Sequence, residues 1–194
     1  VMSIKGQDFT GALIGKLDRD SKVTSCFNLG TVEGQSYIGG LIGESNFGNE
    51  ISQSFSLNKV NGQAYVGGLI GQVGYYGVIK NSYSTANVSG VNYIGGLIGY
   101  IKHGSTKIST SYSANKVTGA LSLTGGLVGH WVDPSTTFMN SHWAKDSTGQ
   151  NSSVASDKES NYIGLNLAVL QCATQANTTF SNSSCLSVDG SREG

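Results

Sequence analysis

The chain is poor in charge, proline and cysteine. Lys and Arg number 12, as do Asp and Glu, so charged residues make up 12% of 194 residues and the formal net charge is zero. Without a basic excess there is no electrostatic footprint for nucleic acid. Disorder pairs low hydrophobicity with high net charge, whereas 38% of this chain is apolar. The single proline, Pro134, and the absence of glycine at every third position exclude collagen. No run of 18 apolar residues occurs, so there is no transmembrane helix candidate. What the chain has in abundance is glycine, 28 residues, about twice the usual share.

Half of that glycine lies in one recurring heptapeptide: Phe9-Thr-Gly-Ala-Leu-Ile-Gly15, Tyr37-Ile-Gly-Gly-Leu-Ile-Gly43, Tyr65-Val-Gly-Gly-Leu-Ile-Gly71, Tyr93-Ile-Gly-Gly-Leu-Ile-Gly99 and Leu123-Thr-Gly-Gly-Leu-Val-Gly129. The start-to-start spacings are 28, 28, 28 and 30 residues. A second block keeps the same register: Val23, Phe27, Val32, Gly34; Ile51, Phe55, Val60, Gly62; Ile79, Tyr83, Val88, Gly90; Ile108, Tyr112, Val117, Gly119. The fourth copy gains a residue before Ile108 and another after Gly119, both between repeated columns, where stacked repeats tolerate insertions. The fifth degrades after Phe138, keeping Ser141, Trp143 and Gly149.

Glycine at this density disfavours helix, and the β-branched and aromatic residues between favour short strands broken by turns. Each copy offers three strand candidates: the heptapeptide, the stretch equivalent to 79–83, and the piece around Val88. One such unit cannot bury its apolar face alone, but stacked copies can, with like residues in columns about 4.8 Å apart. The sequence therefore predicts an all-β fold, a parallel β-solenoid of about five coils of 28–30 residues, right-handed by the crossover rule. The repeats fill 1–150, in copies starting near 9, 37, 65, 93 and 123, and a polar tail follows over 151–194. The structural glycines and leucines are Gly39, Gly40, Leu41, Gly43, Gly67, Gly68, Leu69, Gly71, Gly95, Gly96, Leu97 and Gly99. One feature resists a regular strand: Leu41 and Ile42 should face opposite sides, yet both columns are apolar throughout. Either the Gly-Gly pair makes a bulge that re-aims one inward, or the sheet is covered on both faces.

The heptapeptide and the following Asn-Ser-Tyr-Ser-Thr-Ala-Asn-Val-Ser-Gly, residues 81–90, resemble the bacterial GLUG repeat, named for its Gly-Leu-apolar-Gly core. The resemblance covers residues 9–150, departing at Ala12, Leu123 and His142. It implies an exported, multi-repeat surface segment of the kind found in adhesins and beside immunoglobulin-A peptidase regions, with no catalytic residues and no cofactor. Ile4, Gly6 and Gln7 match Val60, Gly62 and Gln63, so the chain reads as a piece that begins inside a preceding copy. In the tail, 165–172 is a short-helix candidate suited to capping an open solenoid end. Cys172 and Cys185 enclose twelve residues, a spacing suited to a disulfide loop in an exported protein. Cys26 stands in the column of Ser54, Ser82, Ser111 and Ser141 and reads as a small rung residue.

Other chemistry is weakly signalled. His103, His130 and His142 fall in different columns, without metal-ligand spacing. Asp18, Asp20, Glu33, Glu44 and Glu50 raise a polysaccharide-active β-helix as an alternative, which needs two carboxylates at a set separation; Glu50 falls over Lys22 instead, as a cross-rung pair. The calcium-solenoid nonapeptide is missing, and no Gly-Lys-Ser/Thr follows the glycines. Ser56, Ser84 and Ser113 form a candidate water-ordering hydroxyl array. The expected function is a non-catalytic extracellular stalk or adhesin module contacting a host or matrix protein or glycan. The alternative is a filament subunit joined through its open ends or its Leu column. Binding is expected on the loops Gly43 to Glu50, Gly71 to Gly77, Tyr100 to Thr106 and His130 to Thr136, with Tyr75, Tyr76, Tyr100 and Trp131 as the candidate contacts.

Overall fold

Every strand of one repeat pairs, in parallel, with the equivalent strand of the next, and this single relationship builds the molecule. A computed structural model describes residues 2–57, 59–120, 123–154 and 164–165. Registers such as Ser36↔Ala64↔Asn92 and Ile42↔Ile70↔Ile98 step by one 28-residue repeat. The insertions in the fourth copy are absorbed without slip, since Ile79 faces Ile108 and Ile108 faces Phe138. The chain is a β-solenoid. Ile4 pairs with Val32, as the match of residues 4–7 to 60–63 predicts.

Each full coil has five strands rather than three. The first sheet stacks Asp8–Gly11, Ser36–Gly39, Ala64–Gly67, Asn92–Gly95 and Thr124–Gly125. The second stacks Ile14–Arg19, Ile42–Phe47, Ile70–Tyr75, Ile98–Ile101 and Val128–Trp131. The third stacks Lys22–Thr24, Glu50–Ser52, Val78–Lys80, Lys107–Ser109 and Thr137–Met139. The fourth runs through Phe27–Asn28, Phe55–Ser56, Tyr83–Ser84, Tyr112–Ser113 and His142–Ala144 to Gly164–Leu165. The fifth stacks Ser3–Lys5, Thr31–Glu33, Lys59–Asn61, Asn87–Gly90 and Val117–Gly119. The heptapeptide and the 79–83 stretch each contain a corner that splits them.

The corner inside the heptapeptide resolves the Leu–Ile conflict. The chain bends at Gly40–Leu41, between the first and second strands, so Leu41 and Ile42 lie on different sides of a turn. Leu41, Leu69, Leu97 and Leu127 are fully buried in one cluster with Ile42, Ile70, Ile98 and Val128. The sheet needs no covering element on its outer face. From Leu41 onward the Leu column is interior rather than an outer face, while Leu13 in the first copy is exposed.

The interior holds two apolar columns. One combines the Leu and Ile columns with Val23, Ile51, Ile79, Ile108 and Trp143. The other combines Ile38, Val66 and Ile94 with Val32, Val60, Val88 and Val117. Between them the backbone of the Gly-Gly bend meets the fourth sheet: a Cβ on Gly40 would collide with the Ser56 hydroxyl, and one on Gly68 with that of Ser84. Ser113 Oγ donates to the Gly126 carbonyl at 2.5 Å. Ser56, Ser84 and Ser113 are therefore buried, which removes them as a water-facing array: their small size lets two walls of the coil approach, and their hydroxyls never reach the surface.

Three corners use left-handed backbone. Phe9, Tyr37, Tyr65 and Tyr93 have φ of 51°, 59°, 55° and 58°. The kink turns each ring outward while the following residue, Ile38, Val66 or Ile94 in the later coils, enters the core. A second left-handed column is Ser25, Gln53, Asn81, Thr110 and Asn140, each preceding the Cys26 and serine column. There the Cys26 N–H donates to Ser54 Oγ (3.2 Å), the Ser54 N–H to Ser82 Oγ (3.2 Å), the Ser82 N–H to Ser111 Oγ (3.2 Å) and the Ser111 N–H to Ser141 Oγ (3.3 Å). Each hydroxyl donates in turn to the carbonyl two residues back, as Ser82 does to Lys80 at 2.8 Å. Cys26 Sγ makes the same contact with Thr24 O at 3.3 Å, so it occupies a serine rung.

At the C-terminal end the backbone continues the stack. Gly126 and Leu127 N–H groups donate to Ser152 and Ser153 carbonyls (2.9 Å each), and Val128 bridges Val154. A single helical turn, Lys145–Thr148, closed by Gly149 at φ 68°, seats Trp143, whose Nε1 donates to Gln150 O at 3.0 Å. Leu165 lies in a strand paired to Ala144. The rest of the helix proposed over 165–172, and the Cys172–Cys185 pairing, lie outside the described residues.

Candidate functional site

Two aromatic ladders run along the outside. In the first, Phe9, Tyr37, Tyr65 and Tyr93 stack at 4.6, 4.7 and 4.9 Å, with ring planes within 5°. In the second, Phe27, Phe55, Tyr83 and Tyr112 stack at 5.2, 4.9 and 4.9 Å. The spacing is the rung spacing, and each stacked pair contributes about 0.5–1.5 kcal/mol beyond area burial. Because the rings lie face to face, the π-faces inside each ladder are occupied by neighbouring rings and only edges meet solvent. Burial and the neighbouring Tyr83 push the Tyr112 phenol up to about 12.

Beside the first ladder runs a polar column on the second sheet, Lys16, Glu44, Gln72, Tyr100 and His130. Lys16 Nζ lies 2.9 Å from Glu44 Oε2 and 4.9 Å from the centre of the Phe9 ring. Gln72 Nε2 donates to the other oxygen of Glu44 at 2.9 Å. Tyr100 then sets its ring against the edges of the ladder, 5.2 Å from Tyr65 and 5.3 Å from Tyr93. His130 closes the column 5.8 Å from Tyr100, and burial holds it below the ordinary histidine value.

The four aromatic candidates thus occupy three environments. Tyr100 belongs to the strand Ile98–Ile101 and packs on the first ladder. Trp131 ends the strand Val128–Trp131, faces Phe138 at 5.0 Å and packs against the larger core, so it supports the fifth coil. Tyr75 and Tyr76 stay together at the corner between the second and third sheets. Much of what reads as loop, including Gly43 to Phe47 and Gly71 to Tyr75, is strand.

That corner also holds a residue that sequence reasoning missed. Arg19, Phe47 and Tyr75 are in register on successive coils. The Arg19 guanidinium sits 5.2 Å from the Phe47 ring centre, and His103 lies 5.7 Å from Tyr75. Phe47 meets Tyr76 at 5.3 Å and 74°, and Tyr75 at 6.0 Å and 36°. These rings are tilted, unlike those of the ladders, and Tyr76 is 53% exposed. Tyr76 has φ 53° in the column of Asp20, Gly48 and Gly104. The signal for Phe47 was available: it precedes Gly48 as Tyr75 precedes Tyr76, in the same repeat position.

The acidic residues are distributed along the coils. Glu33 pairs with Lys5 at 3.1 Å, and Glu50 with Lys80 at 3.0 Å, with Lys22 at 4.0 Å on its other side. Asp18 accepts from Asn46 Nδ2 at 3.3 Å. The hydrogen bond from Lys80 holds Glu50 below the usual carboxylate value. The expected Lys22–Glu50 pair is present, and the closer partner is Lys80.

No curated protein and no solved structure matches the chain. Residues 62–89 match the family model described as the GLUG motif. They run from the Gly62 corner through all five strand positions to Ser89, so the matched segment is one complete coil of this solenoid, and the neighbouring coils share its register.

Proposed function

We propose that the chain is a non-catalytic repeat module of a bacterial extracellular protein, a stiff stalk whose sides serve attachment to a host or matrix surface. The observation that carries this reading is the uniform register: each coil adds one nearest-neighbour interface and about 4.8 Å of length, and two external aromatic ladders brace the stack. Side chains between the columns are free to vary without disturbing it. The acidic residues support a structural role, since Glu33, Glu44 and Glu50 are each engaged by lysine on an adjacent coil. The test is adhesion: beads coated with the chain are expected to resist flow on host-cell or matrix layers better than beads carrying an unrelated β-solenoid. Equal retention contradicts the adhesive part, and release of new reducing ends from polysaccharides would favour the enzymatic alternative.

A further inference from the structure

We infer that the corner formed by Arg19, Phe47, Tyr75, Tyr76 and His103 is a binding site for a linear, neutral polysaccharide; this rests on the adhesive reading and names its ligand class. Three observations converge. First, Tyr76 adopts a left-handed backbone in a column where two other coils place glycine. That conformation disfavours a bulky side chain; Asp20 takes it as well, and Gly48 and Gly104 make the same turn without a ring. The turn itself therefore does not call for an aromatic, and Tyr76, unlike the stacked ladder rings at similar φ, holds its ring 53% exposed.

Second, the rings here are splayed. Angles of 36°, 40° and 74° among Phe47, Tyr75 and Tyr76 keep them from covering one another as the ladder rings do. Sugars present flat C–H faces to aromatic rings, so an uncovered ring is what a sugar-stacking platform needs, and a ladder seen edge-on does not provide one. Third, the polar groups beside the rings carry both signs. Arg19 supplies a guanidinium, and the Asp20 carboxylate lies against Gly48, one coil from Tyr76. Mixed donors and acceptors suit hydroxyl groups, and no excess of positive charge selects an anionic glycan.

Arg19, Phe47, Tyr75 and His103 follow one another along the solenoid axis, one coil apart. The rung spacing of about 4.8 Å is close to the length of one pyranose unit in an extended chain. A linear glycan lying along the axis would therefore meet an aromatic or cationic group at each sugar.

The test uses the whole chain and a panel of neutral hexasaccharides, β-1,4-glucan, β-1,3-glucan and β-1,4-mannan, read by biolayer interferometry. At least one is expected to bind. Tyr76→Gly is expected to weaken that binding at least about tenfold, in the range of an aromatic hot spot, while melting at or above the wild-type temperature because it relieves the backbone. Tyr76→Phe should stay within about threefold, since it keeps the ring, and Tyr83→Phe, on the second ladder, should bind as wild type. A folded Tyr76→Gly variant that binds unchanged overturns the proposal, as does a chain that holds none of the three sugars. In that last case, continued bead adhesion to glycan-stripped layers would leave the adhesive reading standing. Hexasaccharide binding without bead adhesion would instead uphold the site and remove the adhesive reading.

Discussion

Lys16 Nζ sits 2.9 Å from Glu44 Oε2, one coil further along. Lys5–Glu33 and Lys22–Glu50 repeat the arrangement on two other sheets, each joining a lysine to a glutamate 28 residues on, one coil along. Lys16 is half exposed, which limits the coupling in a Lys16→Met and Glu44→Gln double-mutant cycle to about 0.5 kcal/mol. Urea titrations should show this coupling at low salt and lose most of it in concentrated NaCl. The Glu44 hydrogen bond and charge raise the Lys16 value above 10.5. Its contribution is therefore complete below 10.5 and disappears as pH rises through the folded value. Coupling that is indifferent to both salt and alkali would contradict this account.

The Gly-Gly bend is the least replaceable part of the coil. A Cβ on Gly67 would collide with the Ile70 carbonyl and crowd the Gly99 N–H at 2.6 Å. Gly67→Ala is expected to cost more than about 3 kcal/mol or to prevent folding. Gly149, unlike Gly67, has positive φ, but a Cβ there meets nothing within 4 Å, so Gly149→Ala should cost only about 1–2 kcal/mol. Thermal melts of the two variants side by side make the comparison, and equal losses would show that close approach is not what the bend requires.

The repeat period made the coil legible, because a column of like residues survives any error in placing strands. Corners were harder to read. Tyr37, Asn81 and Thr110 take left-handed φ, a conformation usually announced by glycine, and the bend at Gly40–Leu41 falls within an unbroken apolar run, so the heptapeptide reads as one strand when it is two. The kink at Tyr37 also breaks the alternation: period two would send Ser36 to the same face as Ile38, whereas Ser36 and Tyr37 both reach solvent and Ile38 is buried. Ser56 and Ser84 look like surface residues by type, and only the facing Gly40 and Gly68 reveal that they are buried. At the candidate site Tyr75 and Tyr76 stood out as aromatics between repeated columns. Phe47 and Arg19 join them only through the coil register.

The serine column gives a sharper test of hydrogen bonding. Ser82 Oγ accepts from the Ser54 N–H and donates to the Lys80 carbonyl. Ser82→Ala leaves a buried N–H without that acceptor and is expected to cost about 1–3 kcal/mol. Cys26→Ser places the column's own residue in the column and should be neutral or slightly stabilising by chemical denaturation. A clear loss on Cys26→Ser would mean the thiol has a role beyond its rung.

Tyr112 supplies a pH signature. Its phenol titrates at about 12 because burial opposes the anion, with Tyr83 adding to the effect. The folded value lies above the unfolded one near 10. This contribution to stability is therefore intact below 10 and is lost as pH rises from 10 to 12. Ultraviolet difference titration should show a late phenol that Tyr112→Phe removes. A titration with no component above 11 would contradict the half-buried position of this ring in its ladder.

The central claim is that length grows by one coil per 28 residues without loss of register. A variant with three further copies of residues 64–91 inserted in tandem should fold with a far-ultraviolet β-signature. Its maximum dimension in small-angle X-ray scattering should exceed that of the parent by about 14 Å, at about 4.8 Å per coil, with an unchanged cross-section. A thicker cross-section at unchanged length, or scattering from an expanded chain, would contradict the additive solenoid.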